Sequence, residues 1–591
     1  MTQTGHLLRM STEETQALLQ VALGEAPADL IVRDAGLINV YTGEIQHGMS
    51  VAVKGRWIAR VSAELRDLIG AATRVIEAGG RCLAPGLIDG HTHLAWIYTA
   101  AEFVPFAAAA GTTTVITETM EPYPVGGLAA VQDFLDSFRG QPIRILATAP
   151  AMASISAAAR GIDPRDLAIL LEREEIVGLG ESYWQAVLQA PEVFLPAFAA
   201  AHRVGKRLEG HTAGASERKL NAYLATGVSS CHEPIDADQV LARLRLGMHV
   251  MVREGSIRRD LEAISHICST GADLRRLILA SDGASPQDLM QGRYMDFVVR
   301  KAVACGFAPV QAIQMASLNV AEHFRLDGVM GGIAPGRLAD MVLIPEPAVF
   351  TPRTVICNGR VIFEDGRLLA PPQRHEFTTQ SLNTIKLARP LTSSDFVIAS
   401  KKAAPHARVR VIRMVTDLVT AEHHMELPVS NGEVRVDPAT GLCKIAAVDR
   451  THSPGKLFTG VIQGFGLTRG AVACSAAWDT SDIVVLGADD DDMACAVNRI
   501  ADLQGGAVVC AESRILAQLA LPVFGIASDR PMAELTARLD ALKQVLAALG
   551  VVFPDPLLSL IALTGAAIPY LRICEEGLVN LKDGRRMGLF F

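Results

Sequence analysis

Two histidines one residue apart, His91 and His93, close a short apolar run in "GLIDGHTHL". Further along, Glu181 ends "EIVGLGE", His211 ends "KRLEGH", His232 ends "GVSSCH" and Asp282 ends "RLILASD". Imidazole nitrogens and carboxylate oxygens in this mixture suit a divalent cation such as Zn, Mn or Fe, and a glutamate can bridge two ions through its two oxygens. Such a cation lowers the pKa of a bound water, so that hydroxide is present at neutral pH. Taken singly, each residue has an ordinary reading. An isolated H-x-H recurs by chance, and His211 or His232 alone reads as a hydrogen-bonded or exposed ring. Their shared placement at the ends of apolar runs predicts a metal site built from His91, His93, Glu181, His211, His232 and Asp282. His202, His249, His266 and His323 fall in helix-like stretches or at the wrong ends of runs, and read as packing or surface residues.

The elements that must position these groups alternate with a regular beat. "RCLAPGLID", "TTTVITE", "IRILATAP", "EIVGLGE", "KRLEGHT", "GVSSCHE", "HVMVREG" and "RLILASDG" are strand-like, with helix-like stretches such as "DLAILLEREE" and "PVQAIQMASLNVAEHF" between and after them. Strand-helix units repeated eight times over 81–327 predict an α/β fold, a (β/α)8 TIM-like barrel whose strand ends gather at one mouth. Alternation along a strand puts His91 and His93 on one side. Short alternating runs on either flank, from "DLIVRDAGLINV" and from "GGIAPGRLADMVLI", read as antiparallel strands of one discontinuous β-sandwich domain, 1–80 with 328–375. Residues 376–591 read as a C-terminal α+β domain with the strand "DIVVLGA" and the helices "DDDDMACAVNRIADLQ" and "PMAELTARLDALKQVLAAL". Ser11 and Thr12 begin an amphipathic helix over 12–24, and Asp489 to Asp492 complement a helix dipole.

Composition narrows the partners. The 591 residues exceed one hydrophobic core; half are apolar, a fifth are charged, and the net charge is −8. That balance argues against nucleic acid and membrane surfaces and for a small-molecule substrate. The ten cysteines show no C-x-x-C and no repeated spacing, so free thiols in a reducing compartment are expected. No signal-type apolar segment opens the chain and no run reaches the ~20 apolar residues of a membrane span, which predicts a cytoplasmic location.

"APGLIDGHTHL", "GTTTVI", "GLGE", "RKLNAYLATGVSSCHEP", "LRLGMHVMVREGS", "AIQMASLNVAEHF" and "IAPGRLADMVLI", with "GFGLTRGAV" and "DIVVLG" later, together resemble the metal-dependent amidohydrolases and, more closely, their adenine deaminase branch. The resemblance spans almost the whole chain. It implies hydrolytic deamination of adenine or a related 6-aminopurine to hypoxanthine and ammonia by a metal-bound hydroxide. It also implies a binuclear divalent metal centre (Mn, Fe or Zn) and a homo-oligomer. Asp282 is then the general base, and Glu181 fills the bridging place that a carboxylated lysine takes in many relatives. Arg253, Glu254 and Ser256 of "VREGS" become contributors to substrate or loop orientation.

The chain departs from that branch around the ligands. Ile-Glu-Ser-Ser after the H-x-H becomes Leu94, Ala95, Trp96, Ile97, and Asp-Pro-His-Glu after the second strand becomes Glu118, Thr119, Met120, Glu121. Gly283 follows Asp282 where a second aspartate is common, and His-Asp-Ser-His in the C-terminal domain becomes Trp478, Asp479, Thr480, Ser481. Trp96, Met120 and Glu121 are therefore expected to line the substrate pocket, with Glu118 or Glu121 supplying part of the lost proton relay. The more apolar pocket admits an alternative, an amidohydrolase acting on a substituted purine, a pterin or a hydantoin-like amide. A non-catalytic homologue that keeps its metal is the remaining alternative.

Overall fold

The computed structural model describes residues 7–400 and 404–591, so the first six residues of the N-terminal stretch lie outside it. The middle of the chain supplies parallel strands β1 (Leu87–Thr92), β2 (Thr112–Thr117), β3 (Arg144–Ala149), β4 (Ile176–Tyr183), β5 (Arg207–His211), β6 (Ser230–Cys231), β7 (His249–Arg253) and β8 (Leu277–Ala280). β1 to β5 pair in chain order as one five-stranded sheet, and β6 to β8 as a three-stranded one. Every residue of β1 to β4 is buried. Strands buried on both faces are what a parallel sheet covered by helices requires. The two sheets touch at both ends: Ser229 N–H donates to the Leu208 carbonyl at 3.0 Å and Asp282 N–H to the His91 carbonyl at 3.0 Å. Asp89 reinforces the second contact, accepting from Ser281 N–H at 3.0 Å and from the Tyr294 hydroxyl at 2.7 Å.

The run "RCLAPGLID", expected as one strand, divides at Gly86. Cys82–Pro85 pairs with Met341–Ile344 in a different sheet, and only Leu87–Thr92 belongs to β1. A Cβ at Gly86 would stand 2.1 Å from Thr113 Oγ1, so the chain passes against β2 where only glycine fits. The flanking sheet has nine strands, joining segments of 30–85 to segments of 341–368. It is mixed rather than purely antiparallel, because Leu30–Asn39 runs parallel to both Arg74–Glu77 and Cys82–Pro85. The helix Thr12–Leu23 lies beside it, opened by a capping box between Ser11 and Glu14 and closed by Gly24 at φ 82°.

Beyond residue 404 a second nine-stranded sheet includes Asp482–Gly487 at its centre, with the helix Asp490–Leu503 packed on it and Asp489 capping that helix. The largest apolar core is continuous from the parallel strands into this region, linking Phe134 with Phe524 and Ile97 with Ala527. Among the described residues no helix is long and apolar enough to cross a membrane, and the ten cysteines are free.

Candidate active site

At the C-terminal ends of the parallel strands two donor groups form. His91, His93 and Asp282 are one; Glu181, His211, His232 and Glu233 are the other, and within each the donor atoms lie within 4.8 Å of one another. All six residues expected as ligands are therefore brought together. The groups adjoin, since the His91 and His232 rings stack at 4.2 Å. In the first, Asp282 Oδ1 stands 3.3 Å from His91 Nε2 and 3.5 Å from His93 Nε2. In the second, His232 Nε2 stands 3.0 Å from Glu181 Oε2 and 3.1 Å from Glu233 Oε1.

Local backbone irregularity aims these side chains. The β1–β2 register shifts between Asp89 and Thr92, around His91, and the β4–β5 register shifts between Leu179 and Ser182, around Glu181. Such bulges redirect a side chain that a regular strand would point elsewhere. Asp282 occupies the left-handed region at φ 52°, where aspartate is better tolerated than most residues. Glu233 was not anticipated from the sequence. It accepts from Thr212 N–H at 2.5 Å, which fixes its carboxylate beside His232.

Around the donors lies a second layer. His93 Nδ1 meets Glu121 Oε1 at 2.5 Å, so Glu121, expected at the substrate, orients the His93 ring. Arg253 donates to Asp282 Oδ2 at 3.3 Å and to Asp260 Oδ2 at 2.9 Å. Glu118 accepts from Glu181 N–H at 3.3 Å, and its other oxygen makes no hydrogen bond. Burial, and next the Glu181 carboxylate, push the Glu118 carboxyl up to about 8. Burial works in the same direction at Asp282, but the adjacent His91 and His93 rings and the charges of His232 and Arg253 hold it well below the usual carboxylate range.

These residues fit a divalent cation. His91 Nε2 and Glu181 Oε2 are buried and make no hydrogen bond of acceptable geometry, although Asp282 Oδ1 stands 3.3 Å from the first and the His232 imidazole 3.0 Å from the second. Buried polar atoms left unpaired are costly, and a cation among donor atoms lying within 4.8 Å of one another would satisfy them.

The donors open into a cavity of about 220 Å³. Trp96, Met120, Glu121 and Arg253 line it as expected, together with Tyr183 and, from the C-terminal region, Trp478 and Asp479. Glu254 and Ser256, expected to orient substrate or a loop, lie outside this lining. Glu254 is buried against Lys301 Nζ at 2.7 Å, and Ser256 donates to Asp288 Oδ2 at 2.6 Å while accepting from Ser285 N–H. Each is held by a residue of a neighbouring helix, Lys301 or Asp288, and neither lines the cavity.

Residues 82–362 match the amidohydrolase family model, and 417–585 match the adenine deaminase C-terminal domain. The adenine deaminase of Cenarchaeum symbiosum (strain A) is 33% identical over 580 residues, covering 97% of this chain and 95% of that protein. The adenine deaminase of Ruegeria pomeroyi is 35% identical over 583 residues, covering 97% of each. The chain belongs to the adenine deaminase family. Among solved structures, an enamidase of the amidohydrolase superfamily aligns with a TM-score of 0.46 at 19% identity, covering 59% of this chain and all of that one. Against the adenine deaminase pattern, the altered positions Trp96, Met120 and Trp478 converge on one cavity, where the Trp96 and Trp478 rings meet edge-on at 6.4 Å.

Proposed function

We propose that the chain hydrolyses adenine to hypoxanthine and ammonia. The observation that carries this reading is a pair of adjoining donor groups at a small cavity, in a chain akin to adenine deaminases along 97% of its length. That full-length kinship also favours adenine over the substituted purine, pterin or hydantoin alternatives. The five- and three-stranded sheets read as one (β/α)8 barrel, since backbone hydrogen bonds join them at both ends. Residues 1–80 with 328–375 read as a flanking domain and 376–591 as a C-terminal one.

His91, His93 and Asp282 would hold one ion, and Glu181, His211 and His232 a second. The carboxylates of Glu118, Glu121, Glu181, Glu233 and Asp282 crowd this space, and the Arg253 guanidinium touches one of them, Asp282. Two divalent cations, Mn, Fe or Zn, would offset this excess of negative charge. When bound, they supply an ionised water near neutral pH.

The chain's own groups manage the protons. The water oxygen adds to C6 while one of its protons goes to ring N1; the C6–N bond then breaks as the other proton passes from that oxygen to the amino nitrogen, leaving the C6 carbonyl and ammonia. Asp282 Oδ1, ionised and adjacent to both His91 and His93, takes that proton and passes it on. Burial beside the Glu181 carboxylate favours the protonated form of Glu118, which supplies part of the proton relay lost at the second strand end. Arg253 fixes Asp282, and Glu121 fixes His93. Trp96, Met120 and Trp478 screen the ring from solvent. His91→Ala and Asp282→Ala are expected to lower ammonia release from adenine by at least ~10³-fold; activity within tenfold of the parent in either variant would overturn the assignment.

A further inference from the structure

The part of the cavity wall supplied from beyond residue 376 is apolar apart from Thr416 and Asp479. Leu418, Val419, Trp478 and Ile568 make most of it. Asp479 is 7% exposed and sits at a left-handed φ of 60°, a turn pinned by the Ser154 hydroxyl donating to its carbonyl oxygen. Its Oδ1 accepts from the Tyr183 hydroxyl at 3.0 Å and its Oδ2 from Ala566 N–H at 2.7 Å. A carboxylate has about four acceptor sites, so roughly half of this one's capacity is unspent. Burial pushes the carboxyl up to about 7, aided by the charges of Glu181 and Glu121 and opposed by the hydrogen bonds from Ala566 and Tyr183. None of these influences is a cation.

An acceptor with spare lone pairs in an otherwise apolar wall is completed by a donor on the ligand. A free purine base has a single ring N–H, on its imidazole ring at N9 or N7, distinct from the amino group at C6. We propose that Asp479 is a specificity-determining residue that accepts this imidazole N–H of a free 6-aminopurine base, so that nucleosides, whose N9 carries a sugar, are rejected. The proposal rests on the adenine reading above and places the determinant in the C-terminal region, some 200 residues after the last donor in the chain (Asp282 to Asp479). The cavity agrees in size: about 220 Å³ is below the roughly 300–1,000 Å³ common for ligand sites and suits a compact bicyclic ring.

The test compares adenine with 9-methyladenine and 7-methyladenine, which lack the imidazole N–H, in the metal-loaded parent, Asp479→Ala and Asp479→Asn. Sites built to bond a substrate N–H reject analogues without it strongly, so the parent is expected to prefer adenine over both by roughly 10³-fold or more in kcat/KM. In Asp479→Ala that preference shrinks to within tenfold, through loss on adenine with the methylated bases unchanged. Asp479→Asn keeps the shape and a weaker acceptor, gives an intermediate ratio, and stands in should the alanine variant fail to fold by thermal melting. A parent that treats the three bases alike overturns the proposal whatever the variants do. So does an unchanged ratio in folded variants whose activity falls equally on all three, since that marks a purely structural residue. Failure of the parent to deaminate adenine at all overturns the reading beneath it as well.

Discussion

The Glu121–His93 contact shows how the site depends on groups outside the donor set. A carboxylate 2.5 Å from Nδ1 fixes the ring's tautomer and leaves Nε2 free to face Asp282 and its neighbours. Removing that charge with Glu121→Gln is expected to weaken metal affinity or activity by about 10–100-fold, the usual effect of losing a ligand's outer partner. Titrating metal into stripped parent and variant checks it, and equal affinities with equal activities would refute the role. The donors themselves were legible because each ends an apolar run, a pattern that survives without any knowledge of the fold. Glu233 was not, for a physical reason. Strand alternation would point it away from His232, but β6 ends at Cys231, so both residues lie on a loop where alternation does not apply. Asp479 stands in an altered motif, and nothing local in the sequence ties it to Tyr183, 296 positions earlier.

At the scale of elements, the strand-helix beat gave the count and order of the eight parallel strands, while bulges and close glycine contacts escaped it. Gly180 is one such contact. A Cβ there would stand 2.1 Å from Glu118 Oε2 and 3.0 Å from the Ala149 carbonyl, so β4 can approach β3 and Glu118 only without a side chain. Gly180→Ala is expected to push Glu118 and the adjoining Glu181 off position, reducing kcat by about tenfold or more while the overall fold persists. Steady-state kinetics beside a circular dichroism melt separate these effects, and parent-like kinetics would contradict the close packing. The split of "RCLAPGLID" at Gly86 has the same origin, a backbone crossing that hydropathy does not encode.

Across the whole molecule, polar groups are buried at both ends of the parallel strands. At the end away from the donors, His249 is packed at 4.5 Å from His323 and near Arg207 and Arg276. Burial, then these positive neighbours, hold its imidazole down to about 2, so it stays neutral in the folded chain. An unfolded histidine takes up a proton below about pH 6.5, so the unfolded state binds more protons there and stability falls as pH drops through that value. His249→Gln is therefore expected to lose less thermal stability than the parent between pH 7.5 and 5, and identical losses would show that His249 does not contribute. The continuous core from the parallel strands into the C-terminal region explains why the cavity draws on Trp478 and Asp479, although sequence reading treats that region as a separate domain. The central claim, a metal-dependent adenine deaminase, is tested most directly by elemental analysis of the protein coupled to quantitation of ammonia and hypoxanthine formed from adenine. Two divalent ions per chain, equal amounts of the two products, and loss of turnover on stripping that returns on reloading are expected. Fully metal-loaded protein that releases no ammonia from adenine would contradict it.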